Sequence, residues 1–301
     1  MDGIENSIPY FGETIALLTA LAWAVAVIFF KKSGETVHPL ALNLFKNLLA
    51  FILFIPTIYL SGGTLFYSAP PEYYWLLLIS GLLGIGIGDT LFLKSLNILG
   101  AGFYSIVGCL YSPSIIVLSF FWLGESMTLF QLIGAGLIIS AVLTAASKKG
   151  MGNLSRRDLF LGITWAVISH LVSAVGIVMI KQLLEQSPIL WVTEIRLFSG
   201  IVFLAAVVLL RKNRREIIFS LNRAKSWGYT ISGSFVGAYL AMILWLAGMK
   251  YTQASIAAAL NQTANIFVFI LAVILLKETI NLQRIVGILL AITGAILVTF
   301  G

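Results

Sequence analysis

Apolar runs of about twenty residues, separated by short stretches of Gly, Pro and charge, recur along this chain from Phe11 to Gly301. A helix needs about 20 predominantly apolar residues to cross a hydrocarbon core of about 30 Å, so each run has the length of a membrane span. Reading the runs against their punctuation predicts spans near residues 12–30, 39–60, 73–94, 100–122, 127–146, 159–180, 189–210, 227–249, 253–276 and 280–300. The expected fold is an all-α integral membrane protein with ten transmembrane helices. No connection between runs exceeds about 15 residues, which leaves no room for a separate domain outside the bilayer. Function must reside among the helices.

Composition agrees. Hydrophobic residues make up 59% of the chain and charged residues 10%, against about 25% charged in an ordinary soluble domain. Ten spans put both termini on one side. On one side of the alternating loops fall Lys31, Lys32, Lys94, Lys148, Lys149, Arg156, Arg157, Arg211, Lys212, Arg214, Arg215, Arg223, Lys225, Lys277 and Arg284; on the other fall Lys181 and Lys250. Short cytoplasmic loops are enriched in Lys and Arg, so residues 148–157 and 211–225 are placed in the cytoplasm and both termini outside. The formal charge of +7 is then a mark of orientation in a cell membrane, not of a nucleic-acid partner. Residues 1–12 carry Asp2 and Glu5 but no Lys or Arg. They lack the basic region of a cleavable signal peptide, and the first helix is expected to stay. The single cysteine, Cys109, rules out a disulfide within the chain and reads as a small packing residue.

The chain also resembles itself. Leu123-Gly124-Glu125-Ser126, followed by Gln131-Leu132-Ile133-Gly134, stands 153 residues before Leu276-Lys277-Glu278-Thr279, followed by Arg284-Ile285-Val286-Gly287. Lys31 and Lys46 recur 150 residues later as Lys181 and Arg196. These matches predict a duplication, residues 1–147 and 156–301, joined by a short basic linker. Five spans is an odd number, so the second unit must lie inverted relative to the first. Inverted repeats permit alternating access, in which the two units exchange conformations and open a central site to the opposite side.

With the twin motifs Leu-Gly-Glu125-Ser-x4-Gln-x2-Gly134 and Leu-Lys-Glu278-Thr-x4-Arg-x2-Gly287, and Pro113 twelve residues before Glu125, the sequence resembles the EamA-type branch of the drug/metabolite transporter superfamily over essentially its whole length. The resemblance implies a ten-helix bundle with a central cavity, moving small metabolites such as amino acids, export being the expected direction. It also implies cytoplasmic termini, opposite to the charge reading. Ile266 stands where Pro113 would recur, so no helix break is expected in the ninth span.

A charged side chain at the bilayer centre costs about 2.5–3.5 kcal/mol on insertion scales and needs a cavity, a partner or a function. Asp89 follows Gly81, Gly84, Gly86 and Gly88, which permit close helix approach or local unwinding. It reads either as a binding carboxylate for a proton or amine, or as an ion pair or cap near Lys94. Lys46 and Arg196 lie about 10 Å into their spans and either snorkel or face the bundle. Asn43, Lys46 and Asn47 share a face. Glu194 lies two residues from Arg196 and points elsewhere, towards another helix. In the ninth span Asn261 and Asn265 share a face beside Gln262 and can bind a polar solute or join helices. Tyr111, with Ser112 and Ser114 around Pro113, offers the matching polar patch of the fourth span. Trp23, Trp165, Tyr239 and Trp245 are cavity or interfacial aromatics. His170 reads as a packing histidine or a proton carrier. Glu125 and Glu278 are expected to stabilise the N-termini of the helices that follow them.

The substrate-binding candidates are therefore Asp89, Tyr111, Asn261, Asn265, Trp165, Trp23, Asn43, Lys46, Glu194 and Arg196, with no catalytic or metal residue and no cofactor. Enzyme motifs such as His-Glu-x-x-His, Gly-x-Ser-x-Gly or a Gly-rich phosphate loop do not occur. The leading expectation is a secondary transporter of a small molecule, with proton coupling or uniport both open; a channel or a scaffold is the alternative.

Overall fold

The computed structural model describes residues 10–124, 126, 128–146, 154–222 and 227–300, all of whose regular elements are helical. Glu125 of the first motif, the centre of the basic linker with Lys148 and Lys149, Arg223, Lys225, Asp2 and Glu5 lie outside the described residues. The helices are α1 (Phe11–Ser33), α2 (Pro39–Leu60), α3 (Pro71–Leu99), α4 in two pieces (Ala101–Gly108 and Tyr111–Leu123), α5 (Leu129–Ala145), α6 (Arg156–Val178), α7 (Ile189–Leu210), α8 (Trp227–Tyr251), α9 in two pieces (Ala254–Asn261 and Thr263–Leu276) and α10 (Leu282–Phe300). Among the described residues seven helices are long and apolar enough to cross a membrane, and Leu129–Ala145, Thr263–Leu276 and Leu282–Leu297 are shorter apolar helices. Two short helices, Lys181–Gln186 and Arg214–Asn222, flank α7.

Local signals start these helices. Pro39 and Pro71 occupy first-turn positions where no backbone donor is missed. Thr128 and Gln131 form a reciprocal capping box at α5, and the Ser155 hydroxyl accepts from the Asp158 N–H at α6. Glu278 departs from expectation. Its two oxygens accept from the Ala101 and Gly102 N–H groups at 2.7 and 3.0 Å, so it caps the start of α4, not the helix that follows it. The carboxylate thus ties residues 276–279 to a helix start 176 residues earlier in the chain.

Irregular backbone recurs at matched places. α3 carries a π-helical segment at Leu82–Gly88 and α8 one at Ser234–Leu240, 152 residues on. α4 breaks at Cys109 and Leu110, and α9 breaks at Gln262. Pro113 sits inside the first turn of the second piece of α4, not at the break, and α9 breaks without a proline at Ile266. Pro113 has no N–H for the Cys109 carbonyl four residues before it, which favours the break in α4, whereas the break in α9 needs no proline. Gly124 and Lys277, 153 residues apart, both end their helices in the left-handed region, with φ of 71° and 54°. Lys31 donates to the Asn97 carbonyl at 3.0 Å, and Lys181 to the Met249 carbonyl at 2.6 Å, so each lysine holds the last turns of a π-containing helix.

The packing crosses over as well. α1 lies against α8 and α9, while α6 lies against α3 and α4. α5 and α10 pair with each other at the periphery, where Gly294 faces the Gly134 carbonyl so closely that a Cβ there would fall 2.6 Å from it.

His38, between α1 and α2, joins the ends of three elements. Its Nδ1 accepts from the Leu40 N–H at 3.2 Å and its own N–H donates to Ser220 Oγ at 3.0 Å. Partial burial, then the positive charges of Lys94 and Arg211, hold its pKa below the ordinary 6.5. The neutral ring is the folded form, so its contribution is complete above pH 6.5 and declines as pH falls from there towards the lowered value. Thermal unfolding of detergent-solubilised protein is expected to show an acid-side fall below pH 6.5. His38→Asn, which keeps a capping acceptor but cannot titrate, should flatten it; an unchanged profile would remove His38 as the cause.

Candidate functional site

A cavity of about 160 Å³ lies where α1, α3, α4, α6, α7, α8 and α9 meet. The irregular segments build it. A π turn disturbs the regular hydrogen-bond ladder of a helix and frees carbonyls. In α3 these are taken up by side chains: Asn43 Nδ2 of α2 donates to the Ile85 carbonyl at 2.9 Å and Ser169 Oγ of α6 to Gly88 at 2.8 Å, while Thr90 Oγ1 of α3 itself donates to Gly86 at 2.7 Å. Asn43 therefore sits behind the cavity wall and holds the π segment in place.

Lys46 is 2% exposed and does not snorkel. Its ammonium lies 2.5 Å from Asp89 Oδ2 and 3.3 Å from Asn47 Oδ1, while Asn47 Nδ2 donates to Asn43 Oδ1 at 2.8 Å. The polar stripe of α2 thus meets the end of the π segment, and Asp89 is paired with Lys46 rather than with Lys94. Asp89 itself lines the cavity.

Of the ten candidates, Asp89, Tyr111, Asn261, Asn265, Trp23 and Arg196 line the cavity, and Lys46 and Asn43 support it from behind. Trp165 and Glu194 are not part of the lining. Lys94 lies over the Trp165 ring at 5.4 Å, which places that indole in a cation–π contact away from the cavity. Glu194 is 5% exposed with no hydrogen-bond partner on either oxygen among the described residues, and it lies on the helix face of Leu190 and Leu197, which pack with Phe54 and Tyr239. Tyr239 bonds Thr57 at 2.6 Å and also stays out of the lining.

Several lining residues carried no sequence signal. Phe92 stacks against Trp23 and Tyr104 at ring distances of 5.6 and 5.2 Å, with Phe30 behind it, so aromatic rings pack across the Ser33 end of the cavity. His170 Nε2 lies 3.3 Å from the Tyr104 hydroxyl, and its ring also faces Tyr111. Asn265 donates to Gln262 at the α9 break. Opposite, a Cβ on Gly108 would fall 2.7 Å from Asn265 Oδ1, so the small residue before one break makes room for the amide beside the other. Asn261 Oδ1 and the Nε and Nη1 of Arg196 have no partner among the described residues. Polar groups left open at broken helices inside a membrane protein line water-filled or ligand-filled space.

The sequence profile of the EamA-like transporter family matches residues 10–147 and again 160–300. The chain belongs to the EamA-like transporter family. An uncharacterized transporter of Archaeoglobus fulgidus is 22% identical over 283 residues, covering 94% of this chain and 96% of that protein. The uncharacterized transporter YvbV of Bacillus subtilis is 26% identical over 231 residues, 75% of this chain and 72% of YvbV. A solved crystal structure superposes with a TM-score of 0.71 at 16% identity, covering 96% of each chain, and that likeness shows the fold alone. Membership of the EamA-like family makes this chain a multi-pass membrane transporter.

Proposed function

We propose that the protein is a secondary transporter of the cell membrane that exports a small metabolite, an amino acid or a related solute, through the central cavity by alternating access. The two units are residues 1–147 and 156–301, each of five helices, inverted relative to each other. The observation that carries this reading is the recurrence of two kinds of irregularity, a π segment and a broken helix, at matched places on both sides of one cavity. Such segments bend more cheaply than regular helix, and their exchange between two inverted units would move the opening from one side to the other. Rings at Trp23, Phe92 and Tyr104 pack against one another in the lining. Asp89 is the group on which proton coupling would act, because a proton on its carboxylate would release Lys46.

The test is uptake of a labelled metabolite panel, amino acids and organic acids, into proteoliposomes with and without an imposed pH gradient, comparing wild type with Asp89→Asn. Saturable flux lost in the variant and driven by the gradient supports a proton-coupled carrier. Saturable flux that ignores the gradient leaves a uniporter. Flux that rises linearly with concentration without saturating would point to a channel and overturn alternating access.

A further inference from the structure

Lys46 and Arg196 stand 150 residues apart, and the residues that directly follow the two π segments, Asp89 and Ala241, stand 152 apart. In the N-terminal stretch the cation meets its acid at 2.5 Å. In the C-terminal stretch the cation is kept and alanine stands where the acid would be. Arg196 is consequently 2% exposed with Nε and Nη1 unpartnered among the described residues. A guanidinium cannot shed its charge, and a buried charge without a partner is costly unless something else compensates it.

The surroundings hold the group towards the cavity. Gly84 leaves space beside it, since a Cβ there would lie 3.3 Å from Nη2, and the Trp245 ring lies 5.7 Å from Cζ. Glu194, on the same helix, lies on a different face and off the lining. Asp89 is occupied by Lys46. Among the described residues the lining therefore offers one cation, Arg196, that is hydrogen-bonded to no acid, next to the apolar rings of Trp23, Phe92 and Trp245.

We propose that the cavity selects an organic monoanion, its carboxylate received by Arg196 and its apolar or aromatic body lying against those rings. This rests on the cavity being the solute site and, among the small metabolites proposed above, favours a net anion over a zwitterionic amino acid. The ammonium of a zwitterionic amino acid would find no free carboxylate there, whereas a carboxylate matches the planar fork of a guanidinium.

Binding to the detergent-solubilised full chain, measured by calorimetry at pH 7, tests this with four probes of one shape: 3-phenylpropionate, phenylalanine, 3-phenylpropionamide and phenethylamine. The anion is expected to bind at least tenfold more tightly than the other three. Arg196→Gln should lower its affinity to that of the amide, with Arg196→Lys between. Ala241→Asp, which restores the missing acid and leaves Arg196 in place, should abolish the anion preference as well. Preference for phenylalanine, equal binding of anion and amide, or an anion affinity unchanged in both Arg196→Gln and Ala241→Asp overturns the proposal. Because binding is read without flux, a protein that carries phenylalanine but ignores the anion refutes this inference alone. Binding of the anion without saturable flux for any solute in proteoliposomes refutes the transporter reading and sustains the site.

Discussion

Lys46→Met is expected to destabilise the folded protein by about 3–5 kcal/mol, the usual cost of removing one member of a buried ion pair. Lys46 is 2% and Asp89 19% exposed at the side chain, so neither charge is well hydrated by bulk solvent. Without the ammonium, the Asp89 carboxylate keeps only the cavity, and Asn47 Oδ1 loses its donor. The damage should spread, because Asn47 fixes Asn43 and Asn43 satisfies the Ile85 carbonyl of the π segment. Asp89→Asn should cost less, since an amide can still accept from Lys46 while the lysine keeps Asn47. The double variant Lys46→Met/Asp89→Asn removes both charges and should recover most of the loss, because replacing a whole buried pair is often close to neutral. Chemical unfolding in mild detergent, run on the two single variants and the double, measures this directly. Single and double losses that simply add would show that the two groups do not depend on each other. Flux is expected to be lost in Lys46→Met whatever the stability, since the lining then carries a carboxylate without its counter-charge.

That network also marks how far the sequence could be read. Spacing along a helix identified Asn43, Lys46 and Asn47 as one face, and the cost of burying charge singled out Asp89. Neither principle says which helix stands opposite, so the Lys46–Asp89 pair was not derivable and Lys94 was the nearer guess along the chain. The glycines at 81, 84, 86 and 88 advertised irregular backbone in α3. Its counterpart in α8 has only Gly233 and Gly237 nearby, too few to mark the irregularity. The α9 break illustrates the opposite error, since a missing proline was read as a missing break, whereas Gln262 and Asn265 bond each other at the interruption. Trp23, Tyr111, Asn261, Asn265 and Arg196 could be picked out because polar or amphipathic groups in a lipid-length helix demand a reason. Phe92 and Tyr104 line the same cavity, but an aromatic among apolar residues needs none and gave no signal. Glu278 was recognised as a capping carboxylate and assigned to the wrong helix, because the end it serves is 176 residues away in sequence and adjacent only in the fold.

Gly81→Ala is expected to be the most damaging single-methyl substitution among the cavity-supporting helices. A Cβ at Gly81 would lie 2.7 Å from the Arg196 Cα and 2.8 Å from its carbonyl carbon, so the obstacle is backbone and cannot rotate aside. α7 is already drawn onto α3 at the next level, where a Cβ on Gly200 would fall 2.8 Å from Ile85 Cβ. α3 has little freedom to retreat on its other flank either, because a Cβ on Gly176 of α6 would meet the Gly84 nitrogen at 3.3 Å and the Ser80 carbonyl at 3.2 Å. Overpacking of this kind costs about 1–3 kcal/mol and sometimes more, and here it would be relieved by moving the backbone that carries Arg196. The substitution should therefore lower thermal stability and disturb the cavity together, although its own methyl group never enters the lining. Gly136→Ala on α5 is the matched control: nothing stands within 4 Å of a Cβ there, and the better helix former should leave stability unchanged or raise it by about 0.5–1 kcal/mol. Unfolding temperatures measured in the same detergent decide the case, with equal behaviour of the two alanines showing that α3 and α7 are not in the close contact on which the position of Arg196 depends.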